Sequence, residues 1–191
     1  APHGVGWAVG KPDIARGGRA GWGMFRPEAK PDMEHITLLN FARFLDDIHR
    51  KHKLTHIIWE KIFINPHAFD ENTKRLQFNM EGIALVFCAA NKVDPSHVTV
   101  ASWRTRAYGT SKAPPHFRVN QYQETKFWKE TAIAWAARRG WGVDTHDEAE
   151  ALGVMHYLLH ALDPTYAGLT DPIFNRLQNE ADMKKGPIHG R

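Results

Sequence analysis

One cysteine, Cys88, is all that the 191 residues contain, so neither an intrachain disulfide nor a cysteine-based zinc finger is available. Cys88 falls in the apolar run GIALVFCAAN, where a buried, inert thiol is expected. The scarcity suits a reducing, cytoplasmic setting. No apolar stretch approaches the roughly 18 residues that span a bilayer. The opening APHGVGWAVG has neither a basic n-region nor an apolar h-region, which reads as no signal peptide and no membrane partner. Repeats and low-complexity tracts are also missing. Without a Walker A sequence no nucleotide cofactor is implied, and Gly4, Gly6 and Gly10 fail the dinucleotide register. No nucleophile elbow supports a Ser-His-Asp triad. Twelve histidines are present, with His156 and His160 four apart and His49, His52 and His56 clustered. No His-Glu-x-x-His occurs and no third ligand is well spaced, so zinc is set aside.

What is present describes a globular chain. Apolar residues make up 42% and charged residues 24%, enough for one domain with a real core. The net charge of +4 comes without a basic amphipathic helix, which favours a polyanion over acidic lipid as partner. VGWAV (5–9) and AGWGMF (20–25) read as strands joined by a Gly/Pro loop. Apolar spacing predicts a helix from Asp32 to His52, with Asp32 as its cap. THIIWEKIF (55–63) reads as a central strand, and a long helix opens at Asp70. HVTVASW (97–103) reads as a strand started by Asp94-Pro95, followed by a polar loop, RTRAYGTSKAPPHFRVN. Helices are predicted from Gln121 to Arg139 and from Thr145 to Leu162. Strands followed by helices give an α/β class, and the early hairpin makes the sheet mixed. The seven tryptophans fall in periodic segments and read as core.

Acids supply the chemistry. Glu60 ends the apolar run Ile57-Ile58-Trp59, where a carboxylate needs a partner. In THDEAEAL, Asp147 and Glu150 lie three apart and share a helix face. Asp144 falls near the cap, and Glu148 points elsewhere. These acids suit a helix start, which attracts negative charge. They also suit a divalent cation, because magnesium or manganese takes oxygen ligands and keeps waters. Two such ions about 4 Å apart can drive phosphodiester cleavage.

THIIWEKIF, RLQFNMEGIALVFCAAN, HVTVASWRTRAYGTSK and HDEAEALGVMHYLL occur in that order. Together they resemble RuvC-type Holliday junction resolvases, closest to the divergent phage and prophage branch. The likeness covers about residues 4–162. It implies an RNase H-like fold, a five-stranded mixed sheet with helices on both faces, spanning 1–163 as the nuclease domain. Residues 164–191 are then a C-terminal extension, partly flexible. The resemblance places Glu60 at the family's fourth-strand acid and Asp147 and Glu150 at the paired acids of the last helix. Glu150 stands where Asp is commoner, and Asp144 is the fallback ligand. The family's first-strand Asp has no counterpart: GVGWAVG (4–10) matches the turn after it, and the chain begins just past its expected position. Either the first strand is missing from this chain, or the ligand is truly absent.

The implied activity is Mg2+- or Mn2+-dependent cutting of branched DNA such as four-way junctions, with two ions and a homodimer. The alternative is a structure-selective DNA-binding protein with an incomplete metal site, and a nuclease aimed at RNA or RNA–DNA hybrids stands third. Arg104, Arg106, Lys112 and Arg118 are the expected phosphate contacts, Lys112 being nearest the scissile phosphate. Tyr108 and Phe69 are either base-stacking or packing residues.

Overall fold

The computed structural model describes residues 5–16, 18–26, 33–61 and 71–166. An antiparallel hairpin comes first: β1 (Val5–Val9) runs against β2 (Gly21–Phe25), Val5 opposite Phe25 and Val9 opposite Gly21. A short 3-10 helix, Pro12–Arg16, occupies the connection. Helix α1 (Glu34–His52) leads to β3 (His56–Glu60), and α2 (Glu71–Asn91) crosses over to β4 (Asp94–Val98). β3 and β4 are parallel, with Glu60 opposite Val98; that pairing requires a crossover of α2's kind. Three longer helices follow, α3 (Val100–Tyr108), α4 (Gln121–Arg138) and α5 (His146–Leu162), with a short 3-10 helix, Pro115–Phe117, between α3 and α4.

Strand alternation sends neighbouring side chains to opposite faces, and the two cores follow from it. Ile58 joins the core formed by Trp103, Trp135, Leu152, Met155 and Leu159 of α3, α4 and α5. Its neighbour Trp59 joins the other, formed by Phe41 and Leu45 of α1 with Met80 and Ala84 of α2. The hairpin divides likewise, Trp22 toward the first core and Phe25 toward the second. Helices therefore cover both faces, as an α/β class demands. Cys88 is buried and free, and burial raises its thiol pKa. Trp103, Trp128 and Trp135 are buried core residues.

Three expectations need correction. The described residues hold four strands in two separate pairs, β1–β2 and β3–β4, not a five-stranded sheet. Among the described residues no ladder joins the pairs; α5 bridges them by packing on β1, β2 and β3. The strand expected at 97–103 lies earlier, at Asp94–Val98. Thr99 stops it and caps α3, its hydroxyl accepting the Ser102 N–H at 3.2 Å. Val100, Trp103 and Ala107 then follow helical, not alternating, spacing. Pro95 is tolerated because β4 pairs on one side only among the described residues. Arg104 and Arg106 consequently sit on a helix, and the polar loop begins at Gly109, which ends α3 at φ 78°.

The cap expected at Asp32, the helix start expected at Asp70 and the tail beyond 166 lie outside the described residues, as does Phe69. Tyr166, past the expected boundary at 163, packs into the first core. No described helix is long and apolar enough to cross a membrane.

Candidate functional site

Helix α5 begins with a capping box. The Thr145 hydroxyl accepts the Glu148 N–H at 3.2 Å, and Glu148 Oε2 accepts the Thr145 and Asp144 N–H groups at 3.0 and 2.9 Å. Glu148 is thus the acid that terminates the helix, and it is buried. Asp147 and Glu150 are left for other work. β1 presses on this turn: a Cβ on Gly6 would stand 2.1 Å from the Asp147 carbonyl oxygen, so only glycine permits the approach.

Glu60 ends β3 and Glu150 lies near the start of α5, close enough for their charges to repel. Trp103 Nε1 donates to Glu60 Oε2 at 2.9 Å, and Arg104 Nη2 donates to Glu150 Oε1 at 3.0 Å. Adjacent residues of α3 therefore hold one acid each. The Trp103 indole is wholly buried and lies on α5 where Gly153 leaves room, a Cβ there coming within 2.8 Å of the ring. The Arg104 guanidinium stands 4.5 Å from the centre of the Trp128 ring and 5.4 Å from that of Trp103, within cation–π range. Its Nε is buried without a hydrogen-bond partner.

Both acids have raised pKa values, desolvation being the largest cause. Glu60 is exposed, with one carboxyl oxygen held by the Trp103 indole. Desolvation raises its pKa, the Trp103 N–H lowers it, Glu150 raises it and Arg104 lowers it, with a net rise. Glu150 is also raised: desolvation dominates the Arg104 charge and hydrogen bond, and Asp147 adds repulsion. Asp147 contacts His146, Nε2 to Oδ1, at 3.2 Å. The Tyr108 hydroxyl is buried without a partner, and burial raises its pKa well above the usual phenol range. A cavity of about 620 Å³ opens beside Glu150, lined in part by Arg104, Trp128, Lys129 and His146.

The expected residues thus separate. Glu60 and Glu150 are within electrostatic reach of each other, as are Glu150 and Asp147. Asp144 contributes its backbone N–H to the cap, and its side chain is exposed. Arg104 turns inward to Glu150, while Arg106 Nη1 lies 3.4 Å from His160 Nε2 on the outer side. Lys112 and Arg118 are exposed on the segment between α3 and α4. The Tyr108 ring packs edge-on to Trp103 and stacks against Trp128. Sequence reasoning missed Trp103, Trp128, Lys129 and His146. Helical spacing of Val100, Trp103 and Ala107 was the signal that would have set Trp103 and Arg104 on one helix.

The three acids supply carboxylate oxygens of the kind a divalent cation takes, but Glu150 is already paired with Arg104. Among the described residues, no group of three or more acids and histidines is drawn together as a closed ligand cluster. The acids surround the site without converging on a point.

The structure of Thermus thermophilus RuvC is similar, at a TM-score of 0.50 and 17% identity, over 83% of this chain and 84% of that one. The fold is RuvC-like. T. thermophilus RuvC in complex with a Holliday junction substrate matches at 0.49 and 14% identity, over 87% of this chain and 89% of that one. No family model matches the sequence. No curated protein matches it either. At these identities the RuvC-like likeness establishes architecture, and chemistry has to come from the acids themselves.

Proposed function

We propose that the chain is a divalent-metal-dependent endonuclease that cuts branched DNA, such as a four-way junction, as a homodimer facing two symmetric strands. What supports this reading is that Glu60 and Glu150, from distant parts of the chain, are close enough for their charges to interact, on a RuvC-like fold. Glu60, Asp147 and Glu150 would hold the metal, with Asp144 in reserve and a first-strand Asp joining if the gene encodes one. Two Mg2+ or Mn2+ ions, when bound, supply activation of water and stabilisation of the leaving oxygen. The chain's own groups position. Trp103 fixes one Glu60 oxygen and leaves the other available. Lys112, Arg118 and Arg106 supply phosphate contacts, which set affinity and not sequence choice.

A second reading, a DNA-binding protein that does not cut, draws support from the unconverged acids and from Arg104 against Glu150. A nicking assay on a synthetic four-way junction with Mg2+ or Mn2+ separates the two. Cleavage by wild type and a loss of about 10²-fold or more in Glu60→Gln supports the enzyme. Equal nicking by both removes Glu60 from the mechanism, and binding without nicking selects the second reading.

A further inference from the structure

We propose that the cavity beside Glu150 admits one unpaired nucleotide of DNA, with Lys129 on its phosphate and Tyr122 stacked on its base at the rim. The inference rests on the DNA-binding reading above, adds to it a place for a single nucleotide, and needs no metal.

Size and charge select the occupant. At about 620 Å³ the cavity lies within the roughly 300–1,000 Å³ of pockets that take small molecules, a space that a stacked duplex cannot enter. Its walls set Arg104, Lys129 and His146 against Glu124 and Glu150. Arg104 is bonded to Glu150 and His146 to Asp147. Lys129 is exposed and acts on Glu150 through its charge, so it is the cation left for a phosphate oxygen. One such cation between two acids suits the single charge of a phosphodiester, whereas the acids repel the larger charge of a di- or triphosphate.

The rim supplies a stacking face. Tyr122, in the first turn of α4, is 77% exposed. Its ring makes no aromatic contact among the described residues, whereas its sequence neighbours His116, Phe117, Phe127 and Trp128 pack one on the next. Helix α4 turns Thr125, Trp128 and Lys129 toward the cavity. At about 100° per residue, Tyr122 falls on the edge of that face, next to Thr125. Lys129 lies two turns further on, about 10 Å along the axis, and both side chains are long enough to close on a nucleotide between them. Any base offers a π-face to such a ring. A base that has left its duplex at a branch point has lost a stacking partner, and Tyr122 replaces it.

The test uses fluorescence anisotropy in EDTA, so that no divalent cation takes part, with a duplex carrying a one-nucleotide bulge and the same duplex fully paired. Wild type is expected to favour the bulged DNA about tenfold. Tyr122→Ala should lose that preference and keep its affinity for paired DNA. Tyr122→Phe should retain it, because the ring and not the hydroxyl stacks. Lys129→Gln should lower the salt slope by about 0.9 for bulged DNA and leave the slope for paired DNA unchanged. Thr125→Phe, which fills the cavity from an exposed position, should lose the preference with Tyr122 intact. Tyr122 and Thr125 are both exposed, so their variants are expected to melt with wild type. A preference kept in Tyr122→Ala, or lost in Tyr122→Phe, overturns the stacking. A salt slope unchanged by Lys129→Gln overturns the phosphate contact. A preference kept in Thr125→Phe overturns the cavity as the seat of the nucleotide. A free deoxynucleoside monophosphate that displaces the bulged DNA at equal concentration assigns the cavity to a free nucleotide and overturns the DNA assignment. Equal binding of both duplexes by wild type overturns this proposal alone, and binding of neither overturns the DNA reading with it.

Discussion

His156 is buried at 1% exposure, and its Nδ1 lies 2.7 Å from the Tyr166 hydroxyl. Desolvation, followed by the charge on Arg139, lowers its pKa to about 3, while burial lifts Tyr166 to about 12. The pair is therefore neutral through the ordinary pH range. An unfolded His156 takes a proton below about 6.5, which the folded site refuses, so the folded pKa is the depressed one. Stability from this residue is present in full above 6.5 and is lost as pH falls toward 3. The expected loss is about 1.4 kcal/mol per pH unit within that window. Glu60 and Glu150 act in the opposite sense. Their raised pKa values favour the fold at low pH, and that contribution fades as pH rises above the ordinary 4.5. Comparison of wild type with His156→Gln by urea denaturation from pH 4 to 6.5 cancels the two glutamates. The difference between the curves should widen as pH rises. Parallel curves would show that the folded imidazole accepts a proton normally.

At the scale of elements, the packing of α3 on α5 sets the site, and one glycine permits it. A Cβ on Gly153 would lie 2.8 Å from the Trp103 ring; the indole is flanked by Tyr108, and Gly153 is itself buried, so it has little freedom to yield. Gly153→Ala is expected to cost about 1–3 kcal/mol by overpacking and to pull Trp103 Nε1 off Glu60. Urea denaturation reads the first effect, and the indole N–H resonance of Trp103 reads the second. An unmoved resonance in a destabilised variant would separate packing from acid positioning. These elements also show what was legible in the chain. The Asp147–Glu150 spacing announces a shared face, whereas the Thr145-x-x-Glu148 capping box went unread behind an expected cap near Asp144. The 97–103 segment was misread because the β-branched run Val98-Thr99-Val100 imitates a strand. Thr99 overrides that propensity by capping, and with the helix hidden, Trp103 and Arg104 could not be placed against Glu60 and Glu150. Contacts between residues more than forty positions apart have no local signature.

For the whole molecule, the α/β class was readable from strands followed by helices, and helices on both faces were implied by the family resemblance, whereas the division of the described strands into two pairs depends on which ladders close, and side-chain patterns do not encode that. Charge is the other global property. A net +4 attracts DNA only if the basic groups face it, and those nearest the cleft are differently placed. Arg104 is held by Glu150 and Arg106 lies against His160, while Lys112 and Arg118 are exposed on the connection leading into α4. Each phosphate contact releases counterions and steepens the fall of log K with log salt by about 0.9 on duplex arms. The double variant Lys112→Ala/Arg118→Ala should therefore reduce the slope for junction binding by about 2 and weaken binding to all junction sequences alike. Anisotropy titrations from 50 to about 200 mM salt, the range over which such contacts are screened, measure this directly. An unchanged slope would move the DNA path away from the α3–α4 connection and toward the cavity beside Glu150, where Lys129 and His146 would become the phosphate contacts to test.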